Sequence, residues 1–597
     1  MAMAKIQFLT FYLEYSIGIH LLSSILHEAG YHISIIYFKL PSKAQIDWFK
    51  DSPINVEHID MKGDIIGHNA DINRWTPNEI SLLVDTIKNY SPDVLCISTR
   101  STDEEIVKDV LPVIKSQINT LILAGGYGPT LDPELYYDLV DYVYIGEAEN
   151  AILEIIDCIN DKQSIDNIEN IAYKKNGTVR RNKLREPTIK NFNPKKVPDE
   201  NVIFIENERI YHKDKHYKII NTHTYSTFFG RGCISSCSYC SAGQWDKIYQ
   251  REGYKIKKRR NRLIEEIITE LIELKKTDCT FVHFRDEFLC ATKNQLKTFF
   301  KLYEENIHLP FWAYLVPDQI LTQPELLEMA VDAGFVDTEI GFQTGSDRIN
   351  RKIYNRYISN RKSVKYAKLL SSFNINIKYD FILFNPIETF EDAKETIDLI
   401  QSLPKSRSYL QLSRLHYFPC SPIVETLKSI NFPPNFIEYN YCIALLYLLS
   451  FVLPHDEMNN LLSDSQNNMS KTFLLNKYKS YIAEHNLSFP VGTHDVPDSI
   501  TTHRYKRIIE KNSYKEIAVW IDNDYFQKMK SAFNSVAKIH YFSDNESVVL
   551  EWEKVMKPSA LKNQAKDIPL FICSKRKQQI KKYIVENFSG LEEQLYV

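Results

Sequence analysis

From Lys5 onward the chain alternates short apolar runs with stretches in which apolar residues return every three or four positions. That is the pattern of strands joined by amphipathic helices around a parallel sheet. It predicts strands at 5–11, 32–38, 94–98, 121–124 and 142–145, and helices at 20–28, 79–89, 104–116, 133–139 and 150–160. Residues 1–165 therefore read as a doubly wound, Rossmann-like α/β domain. In such folds ligands sit beyond the carboxyl ends of the strands, which gathers residues 98–101, 125–130 and 146–149. Gly125 and Gly126 there either bring backbone close to a ligand or only make tight turns.

After Asn160 the alternation stops. Asn176-Gly177 suits the two positive-φ positions of a type I′ turn, so residues 166–221 read as a hairpin followed by a Pro- and Lys-containing linker. Alternation resumes over 222–430, with strands predicted at 225–229, 280–284, 311–314, 337–342, 378–383 and 409–415. Six βα units imply a partial (β/α)6 barrel. Residues 431–597 begin helical and then show strand patterns at 517–521, 538–542 and 569–573, a helical and small α/β domain expected to close the barrel and help define substrate.

Composition narrows the partners. The 597 residues are 44% hydrophobic and 25% charged, which excludes collagen-like and largely disordered chains. With 73 Lys plus Arg against 76 Asp plus Glu, the net charge of −3 offers no global positive field for nucleic acid. The longest apolar run, 436–453, contains Glu438 and Asn440, and its uncharged part is shorter than the ~20 residues of a membrane span. A buried helix is expected there, and no membrane span. The first residues lack the order of a signal peptide, and ten cysteines are too sparse for a disulfide scaffold, so a cytoplasmic protein with reduced thiols is expected.

Cys233, Cys237 and Cys240 share eight positions in a Gly-containing loop spaced C-x3-C-x2-C. Three thiolates can hold a [4Fe–4S] cluster and leave one iron open for chemistry. Zinc is the alternative, but a closed zinc site needs a fourth ligand, such as His223, and no second C-x2-C pair follows. Nearby, Asp286 and Glu287 end a predicted strand, either as a solvated pair or as partners for a ligand ammonium group.

With Tyr239 before the third cysteine, the loop resembles the radical S-adenosylmethionine (SAM) signature. Phe284-Arg-Asp-Glu-Phe288 is similar to that superfamily's acidic site for the SAM amino group, which implies Asp286 or Glu287 in that role. Gly341-Phe-Gln-Thr-Gly-Ser346 resembles the segment that supports the SAM carboxylate and ribose, implicating Gln343, Thr344 and Ser346. Phe381–Thr389 resembles the family's Pro-x-Glu-Thr loop, with Phe384 and Ile387 where two glycines are usual, and Cys420 replaces another common glycine. Cys420 either lines a pocket or is packed and inert.

Upstream, Leu123-Ala-Gly-Gly-Tyr-Gly-Pro-Thr130 and Asp141-Tyr-Val-Tyr-Ile-Gly-Glu147 resemble the cobalamin-binding domain of the B12-dependent radical SAM enzymes. The resemblance covers roughly residues 5–425 and implies cobalamin contacts from Ser98, Thr99, Gly125, Gly126, Thr130, Gly146 and Glu147. The Asp-x-His-x-x-Gly segment of histidine-ligating domains is missing. His27-Glu-Ala-Gly30 matches its tail alone, with Ile25 in place of Asp, so His27 is read as an ordinary helix residue. Cys96 and Cys158 do not supply the second cluster of a methylthiotransferase.

The resemblance implies three cofactors, a [4Fe–4S] cluster, SAM and cobalamin. It implies SAM cleavage to a 5′-deoxyadenosyl radical and methylation of an unactivated carbon in a small-molecule or peptide substrate, with electrons from a flavodoxin- or ferredoxin-type donor. Radical rearrangement or cyclisation on the same cofactors, methylation at phosphorus, a non-catalytic corrinoid-binding protein and a zinc-stabilised interaction protein are the alternatives.

Overall fold

The computed structural model describes residues 3–13, 15–41, 45–46, 56–67, 69–187, 201–213, 224–277, 279–432, 435–465, 470–487 and 489, and shorter pieces between 505 and 596. Among these residues the first sheet contains the parallel strands Lys5–Phe11, His32–Phe38, Val94–Ser98, Leu121–Gly125 and Tyr142–Tyr144. Numbered along the chain, their spatial order is 2-1-3-4-5, and the order reverses between Lys5–Phe11 and Val94–Ser98. A ligand crevice is expected at that reversal, outside the carboxyl ends of those two strands. Both faces are covered, so these strands read as near-continuous apolar runs; six of seven residues in Lys5–Phe11 and in His32–Phe38 are buried.

The linker expectation is corrected in part. Val202–Glu206 pairs parallel to His32–Phe38, and Arg209–His212 pairs antiparallel beyond it, so residues 202–212 complete the first sheet. The Asn176-Gly177 hairpin, with φ of 52° and 76°, extends the opposite edge through Ile171–Lys175. The helix expected at 133–139 is one 3-10 turn, Pro133–Leu135.

The second sheet has six parallel strands in chain order: Thr224–Thr227, Phe281–Phe284, Phe311–Trp312, Phe335–Gln343, Asn376–Leu383 and Ser408–Arg414. Its far edge is extended by Val56–Ile59, which pairs antiparallel to Ser408–Arg414 and carries Ile65–Gly67 with it. A segment within 1–165 thus belongs to the barrel sheet, a crossing that short strands without alternation do not announce. Helix Phe436–Val452 is the buried helix expected from the apolar run, and it packs in the barrel core with Leu474, Leu475 and Tyr478. Tyr478 donates to the Met61 carbonyl, tying the C-terminal helices to the crossing hairpin. No helix of the described residues is long and apolar enough to cross a membrane. A further parallel sheet follows in the C-terminal part, built around Glu516–Ile521.

Candidate active site between sheet and barrel

A cavity of about 380 Å³ opens at the reversal point of the first sheet and runs to the mouth of the barrel. Its first wall combines apolar side chains such as Phe8, Leu13, Leu22 and Ile155 with glycine backbone. Gly126 (φ +98°) and Gly146 (φ +100°) hold left-handed conformations, and a Cβ would strike the Thr99 carbonyl at one and the Tyr249 hydroxyl at the other. Glycine is required at both positions for packing as well as for conformation.

Ser98, Thr99, Gly125, Gly126, Gly146 and Glu147 all line the cavity, as the sequence suggested, whereas Thr130 does not. Its hydroxyl accepts the Gly146 N–H at 3.0 Å and braces that loop. Thr99 shares a 2.6 Å hydrogen bond with Tyr136. Glu147 is held by Arg260, at 2.8 and 2.5 Å, and by Arg231 at 3.3 Å. Arg231 also pairs with Glu149. Those arginines belong to the barrel side, so Glu147 joins the two walls. Tyr127 and Trp245 add a ring contact across the same gap, with centroids 4.7 Å apart. His27 is outside the lining.

The second wall is formed by the base of the cysteine loop, Gly230–Gly232, with Arg260, Arg285 and Glu287, while Cys233, Cys237 and Cys240 lie outside the lining. Gly230–Arg231 pairs with Arg260–Asn261, and a Cβ on Gly230 or Gly232 would strike the backbone of 258–261. Asp286 fixes the base of this loop: it accepts the N–H groups of Phe229 and Gly230, both at 2.7 Å, and pairs with Arg259. Its side chain is fully buried and does not line the cavity. The role expected of Asp286 is therefore corrected to loop anchoring, because both its oxygens are engaged by protein donors. Glu287, one residue on, does face the cavity. Burial pushes its carboxyl up, and the charge lies close enough to Cys233 and Cys240 to raise their thiols too.

All three thiols are raised mainly by burial, Cys233 to about 11 and Cys240 to about 12, while Arg356 pulls Cys237 the other way. Buried thiols of this kind release their protons to a metal. Among the described residues no three His, Cys, Asp or Glu side chains converge on a single ion. His223 lies outside the described residues.

The loop 341–346 is likewise held by protein partners. Ser346 donates to Asp392 at 2.6 Å, and Thr344 is 3.1 Å from the Thr396 hydroxyl, so both are buried against helix Phe390–Ser402. A Cβ on Gly345 would strike the backbone of Glu395 and Thr396. These side chains set the loop's shape. Arg348 and the Ser346 hydroxyl hold the Asp392 carboxyl well below its ordinary range. Gln343 sits at a bulge with φ +69°, hydrogen-bonds Asp380, and keeps its Oε1 buried without a partner among the described residues.

Phe384 (φ +60°) and Cys420 (φ +63°), both at positions where the resemblance expects glycine, keep glycine's left-handed conformation. Cys420 is exposed, is not in the cavity lining, and donates to the Leu131 carbonyl at 3.1 Å.

Comparisons agree with this geometry. Residues 227–400 match the radical SAM superfamily and residues 10–156 match the B12 binding domain. The chain carries a radical SAM domain and is a radical SAM enzyme. With the B12 binding domain ahead of it, the chain belongs to the cobalamin-dependent radical SAM family. It is 20% identical over 437 residues to cytidylyl-2-hydroxyethylphosphonate methyltransferase of Streptomyces wedmorensis, covering 69% of this chain and 76% of that one. Its fold is similar to that of the radical SAM methyltransferase TsrM from Kitasatospora setae with cobalamin and [4Fe–4S] cluster bound (TM-score 0.52, 14% identity, 72% and 77% covered). It is also similar to that of the cobalamin-dependent SAM radical enzyme OxsB (TM-score 0.51, 15% identity, 85% and 79% covered).

Several site residues escaped sequence reading. Arg259, Arg260 and Arg262 sit in a basic run that looks like a solvated face. Each is instead spent on a different acid: Asp286, Glu147 and Glu270. Three arginines in four residues, following a cysteine loop in a chain of nearly balanced charge, were the available signal.

Proposed function

We propose that this chain is a cobalamin-dependent radical SAM methyltransferase acting on a small, polar substrate held between the first sheet and the barrel. The observation that carries the reading is a cavity whose one wall joins apolar side chains to glycine backbone at a sheet reversal and whose other wall presents Glu287 beside the cysteine loop. When bound, the cluster supplies the electron that cleaves SAM, and cobalamin supplies the methyl carrier.

Cys233, Cys237 and Cys240 would ligate the cluster, and Asp286 with Arg259 holds their loop in place. Glu287 would accept the SAM ammonium group as a charge-assisted hydrogen bond. The Gly125-Gly126 and Gly146 loops would carry cobalamin, with the Ser98 hydroxyl on the same wall. The arginine pairs at Glu147 fix the distance between the walls and exclude water from their seam. Functionally, 1–165 with the strands at 202–212 would serve cobalamin, 222–430 SAM and the cluster, and 431–597 barrel closure and substrate choice. A flavodoxin- or ferredoxin-type protein would deliver electrons. The relative from Streptomyces makes a phosphonate-bearing nucleotide one candidate substrate class.

The test is anaerobic reconstitution with iron, sulfide and hydroxocobalamin. Four irons, about one cobalamin and 5′-deoxyadenosine formed from SAM under reduction support the reading. Zinc in place of iron, or cobalamin bound with no SAM cleavage, sinks it.

A further inference from the structure

Four arginines line the cavity, and three of them are paired. Arg100 pairs with Asp103 at 2.8 Å, Arg231 with Glu147 and Glu149, and Arg260 with Glu147. Arg285 is the exception. It follows the second barrel strand, where its backbone N–H donates to the Thr227 carbonyl at 2.8 Å and its Nε donates to Ser226 Oγ at 3.2 Å. No carboxylate reaches its guanidinium among the described residues.

Arg285 is exposed and lines the cavity, so its guanidinium stays available to a ligand that enters there. Desolvation by the surrounding protein pulls Arg285 below the ordinary arginine value, and Tyr314 is the titratable neighbour that opposes the shift. The side chain is nevertheless open to the cavity, with its two terminal amino groups free to accept a planar or tetrahedral oxyanion.

Arg285 and Glu287 both line the cavity. Arg285 is seated on Ser226 with Tyr314 as its titratable neighbour, whereas Glu287 lies close to Cys233 and Cys240. A ligand anion at Arg285 would lie on the barrel wall of the same cavity, on the Ser226 side.

We propose that Arg285, seated on Ser226, is the receptor for an anionic group of the substrate: a phosphonate, phosphate or carboxylate. The assignment deepens the proposed function and rests on this cavity being the substrate pocket. It makes the substrate an anion anchored at the barrel wall, with its reacting carbon projecting toward the glycine wall.

The holoenzyme, its Arg285→Met variant and its Arg285→Lys variant are each titrated calorimetrically with methylphosphonate and with acetate, and SAM affinity is measured in parallel. The expected result is binding of one of these anions by the wild type, weakened at least ~10-fold in Arg285→Met and less in Arg285→Lys, which keeps the charge but not the fork. SAM affinity is expected to stay within ~2-fold throughout, since SAM contacts lie on the cysteine side. Equal anion affinity in wild type and Arg285→Met overturns the assignment, as does a wild type that binds neither anion. A matching fall in SAM affinity also overturns it, by giving the guanidinium to the SAM carboxylate. Iron content, cobalamin content and SAM cleavage by the wild type test the proposed function separately, because anion binding needs no cleavage.

Discussion

The two walls of the cavity are built on opposite principles. On the first sheet the wall is apolar side chain and glycine backbone: Phe8, Leu13, Leu22 and Ile155 line it beside Gly125, Gly126 and Gly146, and the hydroxyls of Thr99 and Thr130 are engaged by Tyr136 and the Gly146 N–H. On the barrel the wall is charge: Arg231, Arg260, Arg285 and Glu287 all reach the same space. An apolar wall with glycine backbone offers area and fixed main-chain groups with few long side chains to immobilise, which suits a large rigid ligand recognised by shape. A charged wall suits small ligands whose ammonium and oxyanion groups must be met one by one. Side-chain polarity alone is therefore a poor guide to which residues line the cavity, because Asp286, Thr130 and Ser346 hold loops instead.

The largest effects should separate the walls completely. Cys237→Ala is expected to lose the cluster and all 5′-deoxyadenosine formation while retaining cobalamin, read by iron content, visible absorbance and product analysis. Loss of both cofactors together would mean that the walls do not fold independently. Gly126→Val tests the other side. Its positive φ costs a branched residue about 1–3 kcal/mol, and the new Cβ meets the Thr99 carbonyl. Cobalamin content should fall to a trace with iron retained. Normal cobalamin loading in this variant would move the cofactor elsewhere.

The two walls were not equally legible. Each of the five predicted strands of the first sheet lies within a residue of the observed one, because a sheet buried on both faces leaves uninterrupted apolar runs. The glycines and the cysteine loop were equally visible, since few residue types can replace them. What escaped was long-range. The hairpin that crosses to the barrel edge carries no periodicity of its own, and strand 202–206 is recruited by an edge far away in sequence. Asp286 and Glu287 are chemically alike and adjacent, so only the fold shows that one faces the Phe229 and Gly230 N–H groups and the other the cavity. Thr344 and Ser346 show the same limit, because helix Phe390–Ser402 supplies hydrogen-bond partners that the loop sequence does not reveal.

A smaller effect is expected at the seam. Glu147→Gln keeps the side chain's shape but removes the charge that Arg260 and Arg231 share, and the Glu147 side chain is only 6% exposed. Uncompensated arginines at a buried position should cost about 2 kcal/mol, less than full removal of a partner because the amide oxygen still accepts and Glu149 still serves Arg231. Thermal unfolding should shift down while both cofactors still load. An unchanged midpoint would show that the walls are joined by packing, through contacts such as Tyr127 on Trp245.

The smallest effect concerns the barrel interior below the charged wall. Asp380 accepts from Ser413 at 2.7 Å beside the Lys378–Glu339 pair, and burial pushes its carboxyl up to about 7. The folded protein then keeps a proton that the unfolded chain releases near pH 4. Between those values the native state binds more protons than the unfolded state, so stability should fall as pH rises from about 4 to about 7 and level off above. One group gives a slope of at most ~1.4 kcal/mol per pH unit, and Asp380→Asn, neutral at every pH, should remove it. If wild type and variant instead lose stability in parallel across this range, Lys378 keeps Asp380 ionised. The charged character of the cavity wall would then continue down the barrel, and its contrast with the apolar, glycine-backbone wall would extend to the whole second domain.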